Sequence, residues 1–120
     1  MGRTTDQDHV VELQAAAIAA LDAGHHDKGM ATFAEATRLS REVLAPTDPV
    51  RLVTAALHGE AWFVHRSDPD KALEIAGVAY DEAVFAIDDA PGGQYRDTVT
   101  QLSDLRDRMT FWAFRITSAG

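Results

Sequence analysis

The segment from Pro49 to about Arg66 carries apolar side chains on nearly every side of a helix, which limits the folds open to this chain. Pro46 ends the preceding helix, Asp48 can cap the next one, and Pro49 suits its first position. A helix without a polar face is stable in water only where other elements surround it. We therefore expect this segment at the centre of a helical domain. Its apolar residues are Leu52, Val53, Ala55, Ala56, Leu57, Ala61, Trp62, Phe63 and Val64.

Helix breakers divide the 120 residues into five helical segments, and no strand pattern lies between them. Short connections make neighbouring helices antiparallel, so the sequence predicts one all-α domain over residues 1–120. The boundaries are a possible cap at Thr5 or Asp6, a stop at Gly24, a cap at Asp27, the cap and proline at Asp68-Pro69, and the loop Pro91-Gly92-Gly93.

Charge and missing residue types argue against several classes of function. A net charge of −8 with scattered basic residues disfavours nucleic acid and anionic membranes as partners. The chain has no cysteine, which excludes disulfides and thiolate metal sites and fits a reducing cytoplasm. The longest apolar run, residues 15–21, is too short to cross a bilayer, and no signal-peptide pattern precedes it. We therefore expect a cytoplasmic protein.

A series of short motifs follows in order along the second part of the chain. The motifs are Pro46-Thr47-x-Pro49-x-Arg51-Leu52, Pro69-x-Lys71-Ala72, Ala79-x-Asp81-Glu82-Ala83 with Asp88, Tyr95-x-Asp97, and Arg106-Asp107-x-x-Thr110-x-Trp112. Their order and spacing resemble the C-terminal half of a 14-3-3 protein, with similarity from about Leu13 to Trp112. The resemblance implies five antiparallel helices stacked as the last five of that family's nine, in an array similar to TPR proteins. The first four helices, with the family's dimer interface and one groove wall, would be missing.

The resemblance does not extend to the family's phosphate pocket, which uses two Arg, a Lys and a Tyr. One Arg and the Lys would lie on a missing helix, and the remaining pair would fall at Val11 and Glu12. A dianion bound without a guanidinium and beside a carboxylate is unfavourable. The family's peptide-clamping Asn residues would fall at Leu57 and Arg108, and leucine offers no hydrogen bond. We therefore expect a protein or peptide partner that is not a phosphopeptide.

The fifth helix carries a core stripe that includes Leu105 and Trp112, and a second line of residues lies beside it. The resemblance implies that this second line faces the groove. It consists of Thr100 or Gln101, Asp104, Arg108, Phe111 and Arg115. Its mixture of acids, guanidinium groups and an aromatic ring is typical of protein interfaces. The alternative is an ordinary solvent-exposed face, in which Phe111 or Phe114 packs beneath a chain terminus. We predict a partner-binding groove between the third and fifth helices, formed by Leu57, Glu60, Val64, Asp104, Arg108, Phe111 and Trp112.

Two other functions stay open, and we predict no cofactor. A helical domain of this kind could hold a small apolar or cationic molecule in its groove. An enzyme would have to use Glu60 with His58, but the known catalytic motifs are absent, and we predict no enzyme. The loop pair His25-His26 could hold a divalent metal, although solvated histidines are the commoner case, and we predict no metal site.

The missing helices would leave apolar positions of the first helix uncovered. Exposed contiguous patches of more than a few hundred Å² are rare on soluble monomers. A second copy could cover this surface through close packing of alanines, which predicts a two-fold homodimer through the first and second helices. The residues expected in its interface are Val11, Ala16 and Ile18.

Overall fold

Five α-helices and one 3₁₀ turn make up the computed structural model, which describes residues 3–119 and has no strand in that range. The prediction of an all-α array of five helices is confirmed. No helix in the described range is long and apolar enough to cross a membrane. The helices are α1 (Thr5–Asp22), α2 (His26–Val43), α3 (Pro49–Arg66), α4 (Pro69–Phe85) and α5 (Tyr95–Ala119), with the 3₁₀ turn at Ile87–Asp89.

The two Asp-Pro pairs begin α3 and α4 as the sequence predicts. Asp48 Oδ1 accepts the backbone N–H of Val50 at 2.9 Å, and Asp68 Oδ1 accepts that of Lys71 at 2.9 Å. Each carboxylate satisfies a donor that the first turn of a helix leaves free, and the following proline has no donor to lose.

The predicted caps of the first two helices are wrong by one or two residues. Thr4 caps α1: its Oγ1 accepts from the N–H of Gln7 at 3.1 Å, and Gln7 Oε1 accepts from the N–H of Thr4 at 2.9 Å. Helix α2 begins at His26 without a side-chain cap, and Asp27 lies inside its first turn. Gly24, with φ of +84°, already reverses the chain there, so α2 starts earlier than a cap at Asp27 requires.

Helix α3 packs against each of the other four helices, which confirms its predicted central position. One core cluster joins it to α4 and α5, where Leu52 shares the core with the buried alanines of α4 and with Leu105 and Trp112 of α5. A second cluster joins it to α1 and α2, with Phe33 and Ala61 at its centre. Trp62 lies at the junction, packed against both clusters.

Helix α3 nevertheless has a buried polar side that periodicity did not reveal. A buried polar group costs free energy unless it is paired, so each of these bonds restricts how α3 can rotate or slide against one neighbour. Thr54 Oγ1 accepts from Gln14 Nε2 of α1 at 2.7 Å, His58 Nδ1 bonds to Thr37 Oγ1 of α2 at 2.8 Å, and Arg51 donates to Glu82 Oε1 of α4 at 3.1 Å.

Alternate helices form one layer of the array. Helix α3 contacts both α1 and α5, and the intervening helices α2 and α4 each pack on α3. Because an antiparallel helix separates each pair, α1, α3 and α5 run in the same direction. Their C-terminal ends therefore lie at one end of the layer, which is where the candidate site forms.

Gly59 and Gly77 provide a matched test of the packing around α3. A Cβ at Gly59 would lie 2.8 Å from the buried ring of Trp112, whereas one at Gly77 would meet only Met109 Cε, at 3.8 Å. We expect Gly59→Ala to lower the free energy of unfolding by about 1–3 kcal/mol through overpacking. Gly77→Ala should raise it by up to about 1 kcal/mol through helix propensity. Urea denaturation of both variants distinguishes these signs, and equal effects would contradict the packing.

His58 should make the stability pH-dependent. Burial, with a smaller effect of the Lys71 ammonium, lowers the pKa of His58 from 6.5 to about 4. The unfolded chain therefore binds this proton more readily between these pH values, and the free energy of unfolding falls as the pH falls through that window. The slope from this residue approaches about 1.4 kcal/mol per pH unit.

Urea denaturation at pH 6.5 and 4.5 measures this contribution. His58→Asn should reduce the stability difference between the two pH values, while the same change at the exposed His9 should leave it in place. An unchanged difference in His58→Asn would show that His58 does not cause it.

Candidate functional site

An apolar depression opens where the C-terminal half of α3 meets α1 and α2. Its volume is about 150 Å³. Ile18 and Val64 stand at its edge, with 40% and 56% of their surfaces exposed, while Leu21 and Phe33 are buried beneath. Exposed aliphatic side chains over a buried apolar floor can receive one apolar side chain of a ligand. The lining residues are Ile18, Leu21, Asp22, Phe33, Leu57, Glu60, Ala61, Val64 and His65.

A wider depression adjoins the first on the other side of Val64. It is lined by Phe63, Val64, Ser67, Pro69, Arg115 and Ser118. Because Val64 borders both, the two form one continuous surface along the C-terminal end of α3. We call the first the apolar depression and the second the arginine depression.

A charged bridge connects α3 to α5 beside these depressions. Arg108 Nη1 lies 3.4 Å from Glu60 Oε2, and Arg108 Nε lies 2.9 Å from Asp104 Oδ2. One guanidinium thus pairs with two partly exposed carboxylates, so this wall has a net negative charge. Ion pairs this exposed add little to stability, so the main effect of the bridge is on the charge of the surface.

The structure brings six of the seven predicted groove residues to these facing walls. Leu57, Glu60 and Val64 lie on α3, and Asp104, Arg108 and Phe111 lie on α5. The rings of Phe111 and Phe63 meet edge to face, with centroids 5.5 Å apart. Sequence reasoning missed Phe63, because a helix that is apolar on all sides gives no signal of which side faces outward.

Helix α1 also contributes to the site, which the sequence-based groove did not include. Ile18, Leu21 and Asp22 belong to the apolar depression. Val11 lies two turns before Ile18 and therefore on the same side of α1. The groove thus runs across α1, α3 and α5.

Comparison with known proteins yields three informative relatives. Both 14-3-3 protein 3 and 14-3-3 protein 2 of Entamoeba histolytica are 36% identical to this chain over 86 residues, which is 72% of this chain and 36% of each relative. The 14-3-3 family protein artA of Aspergillus flavus is 30% identical over 89 residues, covering 74% of this chain and 37% of the relative. No protein-family model matches the chain.

The chain is related to the 14-3-3 family. It spans just over a third of the length of these curated relatives. The relationship agrees with the five-helix array and with the resemblance carried by the motifs after Pro46.

The prediction that Trp112 forms part of the groove is wrong, because its side chain is fully buried and lines no surface. It lies two turns after the buried Leu105, on the side of α5 that packs on α3 and α4. Its ring approaches the backbone at Gly59, where no side chain stands in the way. A large indole gains more by filling this space among the small alanines of α4 than by facing water.

The histidines do not form the catalytic or metal arrangements considered above. His58 bonds to Thr37 and stacks on Phe33, whereas Glu60 pairs with Arg108, so the proposed acid–base pair is not formed. His26 lies against His65, with ring centroids 4.9 Å apart. Within the described residues, no group of three or more His, Cys, Asp or Glu side chains could hold a metal ion.

The three residues predicted for the homodimer interface do not share one face of α1, so a single contact through this helix would not contain all three. Val11 and Ile18 lie on the groove side. Ala16 lies on the other side of α1, which we call the outer flank, beside a shallow depression that includes Leu13 and Leu39. Positions two residues apart on a helix point in nearly opposite directions. The homodimer itself stays a prediction, and its contact would involve one side or the other.

Charge substitutions on the two sides of α1 separate these possibilities. A dimer formed through the outer flank should dissociate with Ala16→Glu and persist with Ile18→Glu, because a buried unpaired carboxylate is costly. Size-exclusion chromatography with light scattering gives the mass of each variant. A wild-type protein with the mass of one chain at micromolar concentration would contradict the dimer.

Proposed function

We propose that this 14-3-3-like chain is a non-catalytic protein-interaction module of the cytoplasm that binds an extended segment of a partner protein across α1, α3 and α5. The observation that supports this most directly is the apolar depression at Ile18, Leu57 and Val64, bordered by charged residues of α3 and α5. An apolar centre inside a polar rim is the usual arrangement of a protein interface.

The apolar depression supplies the binding energy in this proposal. A leucine or isoleucine side chain of the partner would cover the exposed surfaces of Ile18 and Val64, and full burial of such a side chain is worth about 1.5–3 kcal/mol. Since the floor is already buried in the fold, little rearrangement is needed before binding.

The charges of the groove favour a neutral or basic segment near the α5 wall. Glu60 and Asp104 share one guanidinium, and Asp22 adds another acid beside the apolar depression. Of the two positions that correspond to the family's phosphate-binding Arg-Tyr pair, Val11 lies on the groove side and offers no cation, and Glu12 lies beside Ala16 on the other side of α1. A phosphorylated residue near Val11 would therefore meet no guanidinium there.

A small apolar or cationic molecule is the second candidate occupant, because the apolar depression has room for about 150 Å³. Such a ligand would raise the melting temperature by an amount that grows with the logarithm of its concentration divided by its Kd. A thermal-shift screen of a metabolite library in which one compound stabilises the protein, and which no peptide reproduces, would favour this alternative.

The peptide proposal is tested by selection from a random peptide library made in two forms, with serine and with phosphoserine. We expect enrichment of segments with one aliphatic residue, with no preference for the phosphorylated form. Val64→Asn should weaken binding of a selected peptide about tenfold, a loss of about 1.4 kcal/mol.

Val78→Asn on α4 is the matched control for this test, because Val78 is similarly exposed, at 45%, and lies outside the groove. Affinities of both variants follow from titration calorimetry. Enrichment that requires phosphate and is lost on dephosphorylation would overturn the proposed preference, and equal loss in both valine variants would remove the groove from the site.

A further inference from the structure

Arg115 differs from the other arginine of the groove, Arg108, in what holds its guanidinium. Its Cζ lies 5.5 Å from the ring centroid of Phe63 and 5.9 Å from that of Phe111. No carboxylate in the described part of the chain forms an ion pair with it, whereas Arg108 is bound to Glu60 and Asp104.

Contact with two aromatic rings orders a long side chain without using its donors. A guanidinium is attracted to the face of a ring, while its N–H groups lie in its own plane and point outward. The rings of Phe63 and Phe111 support each other at 5.5 Å, so the surface under the cation is itself fixed. Arg115 therefore presents ordered, unused donors to a ligand, with part of the entropy cost of ordering met in the free protein.

The space in front of Arg115 is suited to a small anion. The arginine depression also contains the hydroxyls of Ser67 and Ser118, which can donate hydrogen bonds, and the apolar surfaces of Val64 and Pro69. Ser67 is the C-cap of α3, where the free carbonyl groups carry partial negative charge. One guanidinium beside a helix C-terminus favours a carboxylate, with its single charge, over a phosphate dianion.

We propose that Arg115 binds a carboxylate of the partner segment, close in sequence to the residue that fills the apolar depression. This inference rests on the proposed function, because the segment must occupy the groove for the carboxylate to reach Arg115. The two depressions share Val64, so one extended chain can engage both.

The carboxylate site would also fix the direction of the bound segment. A net negative charge lies beside α1 and along the α5 wall, at Asp22 and at Glu60 and Asp104, which share the single guanidinium of Arg108. Arg115, which has no ion-pair partner among the described residues, lies near the C-terminal end of α5. A segment with an acid on one side of its apolar residue and neutral or basic residues on the other matches this pattern in one orientation only. Electrostatic complementarity of this kind sets orientation more than total affinity.

The test is a double-mutant cycle on the full chain with an acid-containing peptide selected from the serine library. Replacing its Asp or Glu by the corresponding amide should weaken binding to wild-type protein about tenfold and binding to Arg115→Gln by less than twofold. Peptides with a free or an amidated C-terminus, each with and without the side-chain acid, show which carboxylate Arg115 binds.

Arg106→Gln is the matched control, because Arg106 is an exposed arginine nine residues earlier and therefore on the opposite side of α5. It should retain the full tenfold effect of the peptide acid. Equal losses on wild-type and Arg115→Gln protein, or a selected set without acids, would overturn the carboxylate site while leaving groove binding intact. Failure of every peptide to bind would instead overturn the proposed function together with it.

Discussion

Burial of α3 by all four other helices is the constraint on which the rest of the structure depends. An apolar helix surrounded on most sides leaves little freedom in where its neighbours can lie. The bonds from Thr54, His58 and Arg51 then fix α1, α2 and α4 in register, because a shift of any one helix would leave a buried polar group without a hydrogen-bond partner. Apolar burial provides most of the stability, and the polar bonds select one arrangement.

The groove is a consequence of the same packing. Helices α2 and α4 cover much of α3, and the remaining side carries Leu57, Glu60 and Val64 toward the space between α1 and α5. The charged bridge from Arg108 and the aromatic contact between Phe63 and Phe111 connect that side to α5. A surface built on three helices changes little in shape on binding, which suits recognition of an extended segment.

The relationship to the 14-3-3 family agrees with the array of helices, while the surface of that array is specific to this chain. The groove side of α1 and α3 carries the apolar side chains of Ile18, Leu57 and Val64. A fold can keep its packing while its surface is substituted, because core positions are held by contacts on every side and surface positions are not.

Local chemistry in the sequence determined the class of fold and most helix boundaries. Asp48-Pro49 and Asp68-Pro69 start helices through bonds within one turn, and the apolar character of α3 required a central position. The cap at Asp27 failed because the backbone at Gly24 had already turned the chain. Only the tertiary structure decided that Ile18 borders the apolar depression, that Phe63 borders the arginine depression, and that Arg115 rests on two rings. Those outcomes depend on residues brought together from distant helices, which no pattern within one helix contains.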